Sequence, residues 1–331
     1  MPVTTDSEIA PVQEQAQVTE GSARQSSMIY VWLATVPVIW GFNFVCLKIL
    51  YSDAVGFTVP AMLSGRYIVM AVSFFVILLV LNDRERIARE DWKYLIGFAL
   101  ITVAFYQYVF AKAIELTSAA ESALLITTAP IWVFLISIML RIESFDRTRM
   151  FGVLVGFMGV ALVILGSGGS VTVPETHLLG DAVMIVAAVL WASYAVFSRP
   201  LLAKYSPIKI VAYIHILGSF VLIPIGFRQM LDVPLWSMGL VPWLCVLQYS
   251  VLAGVYAFIV WYWGVQRVGA SQTMLFQYFV PLVAVVAAYL ILKEIPTFLQ
   301  VAGIAITLAG VHLARQGNGN AGGDLRQGQS V

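Results

Sequence analysis

GFALITVAFYQYVFAKAIELTSAAESALLITTAPIWVFLIS, residues 97–137, holds two apolar runs joined by a polar hinge at residues 112–118. Shifted by 151 positions it falls on QYSVLAGVYAFIVWYWGVQRVGASQTMLFQYFVPLVAVVAA, residues 248–288, setting Ala119 on Ala270, Leu124 on Leu275 and Pro130 on Pro281. The same ungapped shift sets Trp40 on Trp191, Glu143 on Glu294, Gly152 on Gly303 and Gly159 on Gly310. One offset serving matches so far apart marks a duplicated unit of about 140 residues, much longer than the 20–50 of solenoid repeats. The chain reads as two copies of one module.

Composition says where that module folds. Apolar residues make up 60% of the chain and charged ones 11%, with a mean hydropathy of +0.88. A soluble domain is nearer 45–50% apolar and about a quarter charged. The balance predicts an all-α polytopic membrane protein. A net charge of +1 with no clustered basic face excludes nucleic acid as a partner. The two cysteines, Cys46 and Cys245, stand singly inside apolar runs, so neither a disulfide framework nor a metal site is expected. No phosphate-binding GxxxxGK[ST] loop occurs, and no cofactor is implied.

Ten apolar runs lie between polar tails, near 28–50, 58–81, 94–112, 118–140, 149–166, 180–203, 208–227, 241–264, 270–292 and 297–315. The first, at 23 residues, reaches roughly 35 Å as a helix, enough to cross about 30 Å of hydrocarbon. Backbone polar groups in lipid must satisfy one another, so the runs are predicted as helices. The expected organisation is a disordered tail over 1–27, a first five-helix repeat over 28–166, and a periplasmic linker over 167–179. A second repeat follows over 180–315, with a disordered tail over 316–331. The first run is expected to be an uncleaved span, since residues 1–27 are polar and acidic where a secretory leader is basic. With the N-terminus in the cytoplasm, fourteen Lys and Arg fall on the inner side and four on the outer, which places both termini inside. Five helices per copy is odd, so the second copy lies inverted relative to the first. Inverted repeats are the architecture of alternating-access carriers, because two mirror-oriented copies give two conformations of similar energy. That predicts a transporter with a small-molecule substrate and a lipid bilayer as its partners, as a monomer or weak homodimer.

The segment 38–45, VIWGFNFV, resembles the opening signature of the drug/metabolite transporter superfamily, EamA type. So do the segment 113–130, AIELTSAAESALLITTAP, and Glu143 with the Gly-spaced helix after it. The second half repeats the pattern as VLWASYAV at 189–196, GASQ at 269–272 leading to Pro281, and Glu294. The resemblance spans residues 28–315. It implies ten helices in two inverted five-helix repeats, a central cavity, and export of small metabolites across the bacterial inner membrane, with amino-acid and aromatic-compound exporters nearest in character. Gly41 and Asn43 become Ala192 and Tyr194 in the second copy, so the site is expected to be asymmetric.

Candidate site residues follow from helical spacing and the cost of polar groups in lipid. Trp40 and Asn43 share a face of the first helix, and Trp191 and Tyr194 the matching face of the sixth. Their rings could stack on a solute and Asn43 could hydrogen-bond it, ordinary helix packing being the alternative. Tyr106 with Phe110, and Phe258 with Trp261, form further stripes that could line a cavity or pack. Gln277 is expected to face a wet interior with Thr273 on the same helix, because a polar group in lipid is costly without a partner. Arg66 lies deep in the second helix, and its counterpart under the shift is Leu217. It could hold a substrate carboxylate, or pair with Glu121 or Asp181 to fix helices. Pro130 and Pro281 are candidate hinges, each freeing a carbonyl, or plain kinks. His215 could couple protons, with packing as the alternative. Glu143 and Glu294 are expected to be helix-start caps. Gly152, Gly156, Gly159, Gly303 and Gly310 are expected to let helices of one chain approach. No paired intramembrane Asp, HExxH or exposed Ser with a His partner is present, so no catalytic residue and no enzyme is expected.

Overall fold

The computed structural model describes residues 12–81, 86–141, 147–167, 175–268, 273, 276–277 and 279–327. Among these the chain forms ten helical rods, as expected. They are α1 (Val12–Leu50), α2 (Val59–Leu81), α3 (Asp91–Ala99, continued by a π-helical stretch Leu100–Phe105 and by Tyr106–Leu116), α4 (Ala119–Ile126 and Ala129–Met139) and α5 (Arg147–Ser167). The second five are α6 (Glu175–Phe197), α7 (Pro207–Asp232), α8 (Leu240–Leu247, π-helical Gln248–Tyr256, then Ala257–Val268), α9 (Phe279–Ala287 with a π turn Ala288–Leu292) and α10 (Phe298–Gln327). Seven stretches are long and apolar enough to cross a membrane, within α1 to α4 and α6 to α8, and α5, α9 and α10 supply shorter apolar helices. This is a multi-pass membrane protein. α1 and α10 run on as helix into the polar tails, to Val12 and Gln327, where composition alone suggested no order.

Helix pairing follows the duplication. α2 packs along α7 and α5 along α10; α3 packs on α6 as α8 packs on α1, and α4 on α6 as α9 on α1. Each pairing has its counterpart five helices on, as a pseudo-two-fold axis requires. The α5 and α10 backbones almost touch. A Cβ added at Gly310 would sit 2.2 Å from Gly156 N, and one at Gly159 would sit 2.6 Å from Gly303 O. The glycines therefore serve packing inside one chain, as expected. Outward faces stay apolar, with Val80 78% and Phe220 72% exposed, which suits lipid rather than water.

The duplication extends to helix irregularities. Shifted by 151, Leu100–Phe105 falls on residues 251–256, inside the π-helical Gln248–Tyr256. α4 breaks at Thr127 and Thr128, whose hydroxyls donate to Leu124 O at 2.6 Å and Leu125 O at 2.7 Å. Pro130 stands in the first turn of the piece that follows. Proline has no N–H for the carbonyl four residues back, which is that of Ile126. Pro281 likewise denies Gln277 its helical donor.

Glu294 does cap a helix start, but not that of the helix that follows it. Its Oε1 accepts from Ala119 N at 3.4 Å, so it caps α4 of the other repeat. The start of α10 is capped by Thr297 and Gln300, with Gln300 Oε1 accepting from Thr297 N at 2.8 Å and Thr297 Oγ1 from Gln300 N at 3.3 Å. Glu294 sits three residues too early, and Thr-x-x-Gln is the reciprocal pair. Glu143 lies outside the described residues.

Candidate functional site

Where α1 and α6 meet, the two tryptophans related by the repeat face each other. The Trp40 and Trp191 rings lie 6.1 Å apart and nearly perpendicular. Around them opens a cavity of about 530 Å³, the open space at its mouth included. Its lining is Trp40, Asn43 and Phe44 of α1, Arg66 of α2, Tyr106, Gln107 and Phe110 of α3 and Ile126 of α4. The other described residues that line it are Trp191 of α6, Ala253 and Phe258 of α8, and Gln277 and Val280 before and in α9. Three pairs in this set are related by the 151 shift: Trp40 with Trp191, Gln107 with Phe258, and Ile126 with Gln277. The cavity therefore lies on the pseudo-two-fold axis, and both proline-freed positions border it.

Eight of the ten residues singled out by sequence line this cavity, and two stand behind it. Tyr194 stacks on Trp191 at 5.2 Å with an interplanar angle of 12°, and Trp261 lies 5.0 Å from Trp40. Both brace the indoles rather than line the space. Tyr106 stacks on Trp191 at 5.5 Å, and Phe258 closes on Trp40 at 5.7 Å. Edge and offset contacts of this kind hold rings in place beyond what area burial alone gives.

The polar groups break the symmetry. Trp40 Nε1 donates to Ala253 O, in the π-helical part of α8, at 3.2 Å. Its twin, Trp191 Nε1, has no partner among the described residues, nor do Asn43 Oδ1 and Gln277 Oε1. All three residues are buried, at 6%, 5% and 5% exposure. Buried polar atoms are almost always hydrogen-bonded, so three orphans on residues that line one space suit a polar ligand.

Arg66 is 3% exposed. Its Nη1 donates to Gln107 Oε1 at 3.0 Å and its Nε to Met70 Sδ at 3.3 Å, and its guanidinium lies 3.9 Å from the Tyr249 ring centroid. No carboxylate among the described residues lies within ion-pair distance of it. Pairing with Glu121 or Asp181 is not what the structure has. Thr117 Oγ1 lies 2.6 Å from Glu121 Oε2 and 2.8 Å from Asp181 Oδ1, and Gln300 Nε2 donates to Glu121 Oε1 at 2.8 Å. Those carboxylates join α4, α6 and α10 in a separate cluster. His215 is likewise outside the lining. Its Nδ1 donates to Val211 O at 2.8 Å and its ring packs 4.8 Å from Phe258 and 5.2 Å from Phe74, the arrangement of a packing histidine. Thr273 is buried and does not line the cavity.

Residues 27–165 and 178–315 each match the EamA-like transporter family. Among curated proteins the chain is 28% identical over 290 residues to an uncharacterized transporter of Archaeoglobus fulgidus, covering 87% of this chain and 97% of that one. It is 24% identical to the uncharacterized transporter YetK of Bacillus subtilis, covering 85% of each. A protein of Streptantibioticus cattleyicolor named "Probable terminal-alkyne amino-acid exporter" is 24% identical, over 86% of this chain and 92% of its own. A solved crystal structure superposes with a TM-score of 0.59 at 19% identity, covering 87% of this chain and 96% of that one, a likeness of fold.

Proposed function

Because the chain belongs to the EamA-like transporter family, we propose that it is an alternating-access secondary carrier exporting small metabolites, with amino acids and related aromatic, amphipathic compounds as the best-fitting class. The observation that carries this reading is the cavity on the pseudo-two-fold axis, walled by both repeats, with a Trp-Tyr-Phe box beside unpartnered polar groups. A solute with a ring or alkyl portion and a polar end matches that division. The amino-acid assignment also draws on the name of the Streptantibioticus relative. Relatives named as transporters favour a carrier over an enzyme.

The proposed setting is the bacterial inner membrane with both termini in the cytoplasm, from the distribution of Lys and Arg. The working unit is proposed as a monomer, because the small-residue faces of α5 and α10 are used against each other. An organic-cation carrier fits less well, since Arg66 gives the cavity the wrong sign. Purified protein in proteoliposomes loaded with labelled amino acids tests the reading. Efflux above that of empty vesicles supports it, and rates equal to the control across a broad panel would remove it.

A further inference from the structure

We infer that the cavity recognises its substrate by a carboxylate, taken by Arg66, and that a substrate amine is dispensable. This rests on the carrier reading and names the chemistry of the same site. Arg66 is a buried guanidinium with donors to spare and no carboxylate partner among the described residues. Its known contacts are a neutral amide, a thioether and a tyrosine face, none of which cancels a charge. A charge removed from water demands an opposite one. Guanidinium and carboxylate match as planar, bidentate partners. A second donor, the indole N–H of the lining residue Trp191, has no partner among the described residues, and carboxylate oxygens only accept.

Arg66, the one cation among the described lining residues, fits a monoanionic group. An ammonium would meet neutral groups, the oxygens of Asn43 and Gln277 and the faces of the aromatic box, and no carboxylate among the described lining residues. Losing it from the substrate therefore strands neutral groups, whereas losing the carboxylate strands the Arg66 charge. That asymmetry makes the acid end decisive. Gln107 holds the guanidinium from one side, so it is a positioning residue.

The test uses the full-length protein in proteoliposomes transporting a labelled aromatic amino acid, with unlabelled 3-phenylpropanoate and phenethylamine as competitors. The expected result is that phenylpropanoate competes and phenethylamine needs at least tenfold higher concentration, in line with the worth of a charge-assisted hydrogen bond. Arg66→Gln is expected to bring the two within about threefold of each other, while Arg66→Lys keeps the preference for the acid. An amine that competes as well as the acid, or an acid that does not compete at all, overturns the inference. The wild-type comparison decides even if Arg66→Gln fails to fold. Should no amino acid be transported, the carrier reading fails separately. Quenching of the cavity tryptophans in detergent by each competitor then still tests the carboxylate preference.

Discussion

Trp40 and Trp191 show how a repeat builds a single site from two copies of one residue. Equivalent in sequence and in contact across the axis, they differ in hydrogen bonding: one indole is tied to α8 and the other is not. Trp40→Ala and Trp191→Ala are each expected to weaken apparent affinity in transport by roughly two- to tenfold, since a ring contact is worth ~0.5–1.5 kcal/mol beyond area burial. Membrane insertion should persist, and immunoblots of membranes beside uptake assays check both. Unchanged rates in both variants would remove the aromatic box from the mechanism. At this scale the sequence was readable where a residue was out of place in lipid. Arg66 and Gln277 announced themselves by polarity, and the tryptophans by their matched positions. Gln107 carried the same signal, a buried amide in an apolar run, and it is the repeat partner of Phe258. The shift that paired the tryptophans would also have nominated it and Ile126. What could not be read was a partner from elsewhere in the chain, as with Glu294, whose carboxylate reaches a helix 175 residues away.

Among the helices, the interruptions matter more than the regular turns. Pro130 and Pro281 withhold a donor at Ile126 and Gln277, and both positions border the cavity. Pro130→Ala or Pro281→Ala restores an N–H worth about 1 kcal/mol. Each is expected to hold or raise the melting temperature in detergent while slowing transport; faster transport would deny the prolines a hinge role. The prolines were visible in sequence, as was their offset. The π-helical stretches in α3 and α8 were not, because in runs apolar on nearly every side the phase shift of an extra residue in a turn leaves no mark in the sequence and shows only in backbone bonding. The α5 and α10 contact gives a sharper test. Gly310→Val drives a side chain into the Gly156 backbone, where overpacking costs typically 1–3 kcal/mol. A clear fall in melting temperature is expected, and an unchanged value would mean that the two helices do not meet there.

For the whole molecule, the sequence carried the count of ten helices and their doubling, since both are written in hydropathy and register. Inversion came from parity: five is odd, so the copies face opposite ways. Reporter fusions at the two termini are expected to light up on the same face of the membrane, and opposite faces would refute the inverted arrangement. How the copies interlock was beyond the sequence. A pattern of apolar runs says that a helix is buried on some face, without saying against which neighbour.

That interlocking bears on biosynthesis. The principal pairings all join a helix of one copy to a helix of the other, so the ribosome releases α1 to α5 into the bilayer well before the surfaces they fit have been made. A half-length polypeptide is thus an orphan rather than a small carrier. Fragments 1–170 and 171–331 produced together should recover uptake, and either produced alone should be cleared by membrane proteases.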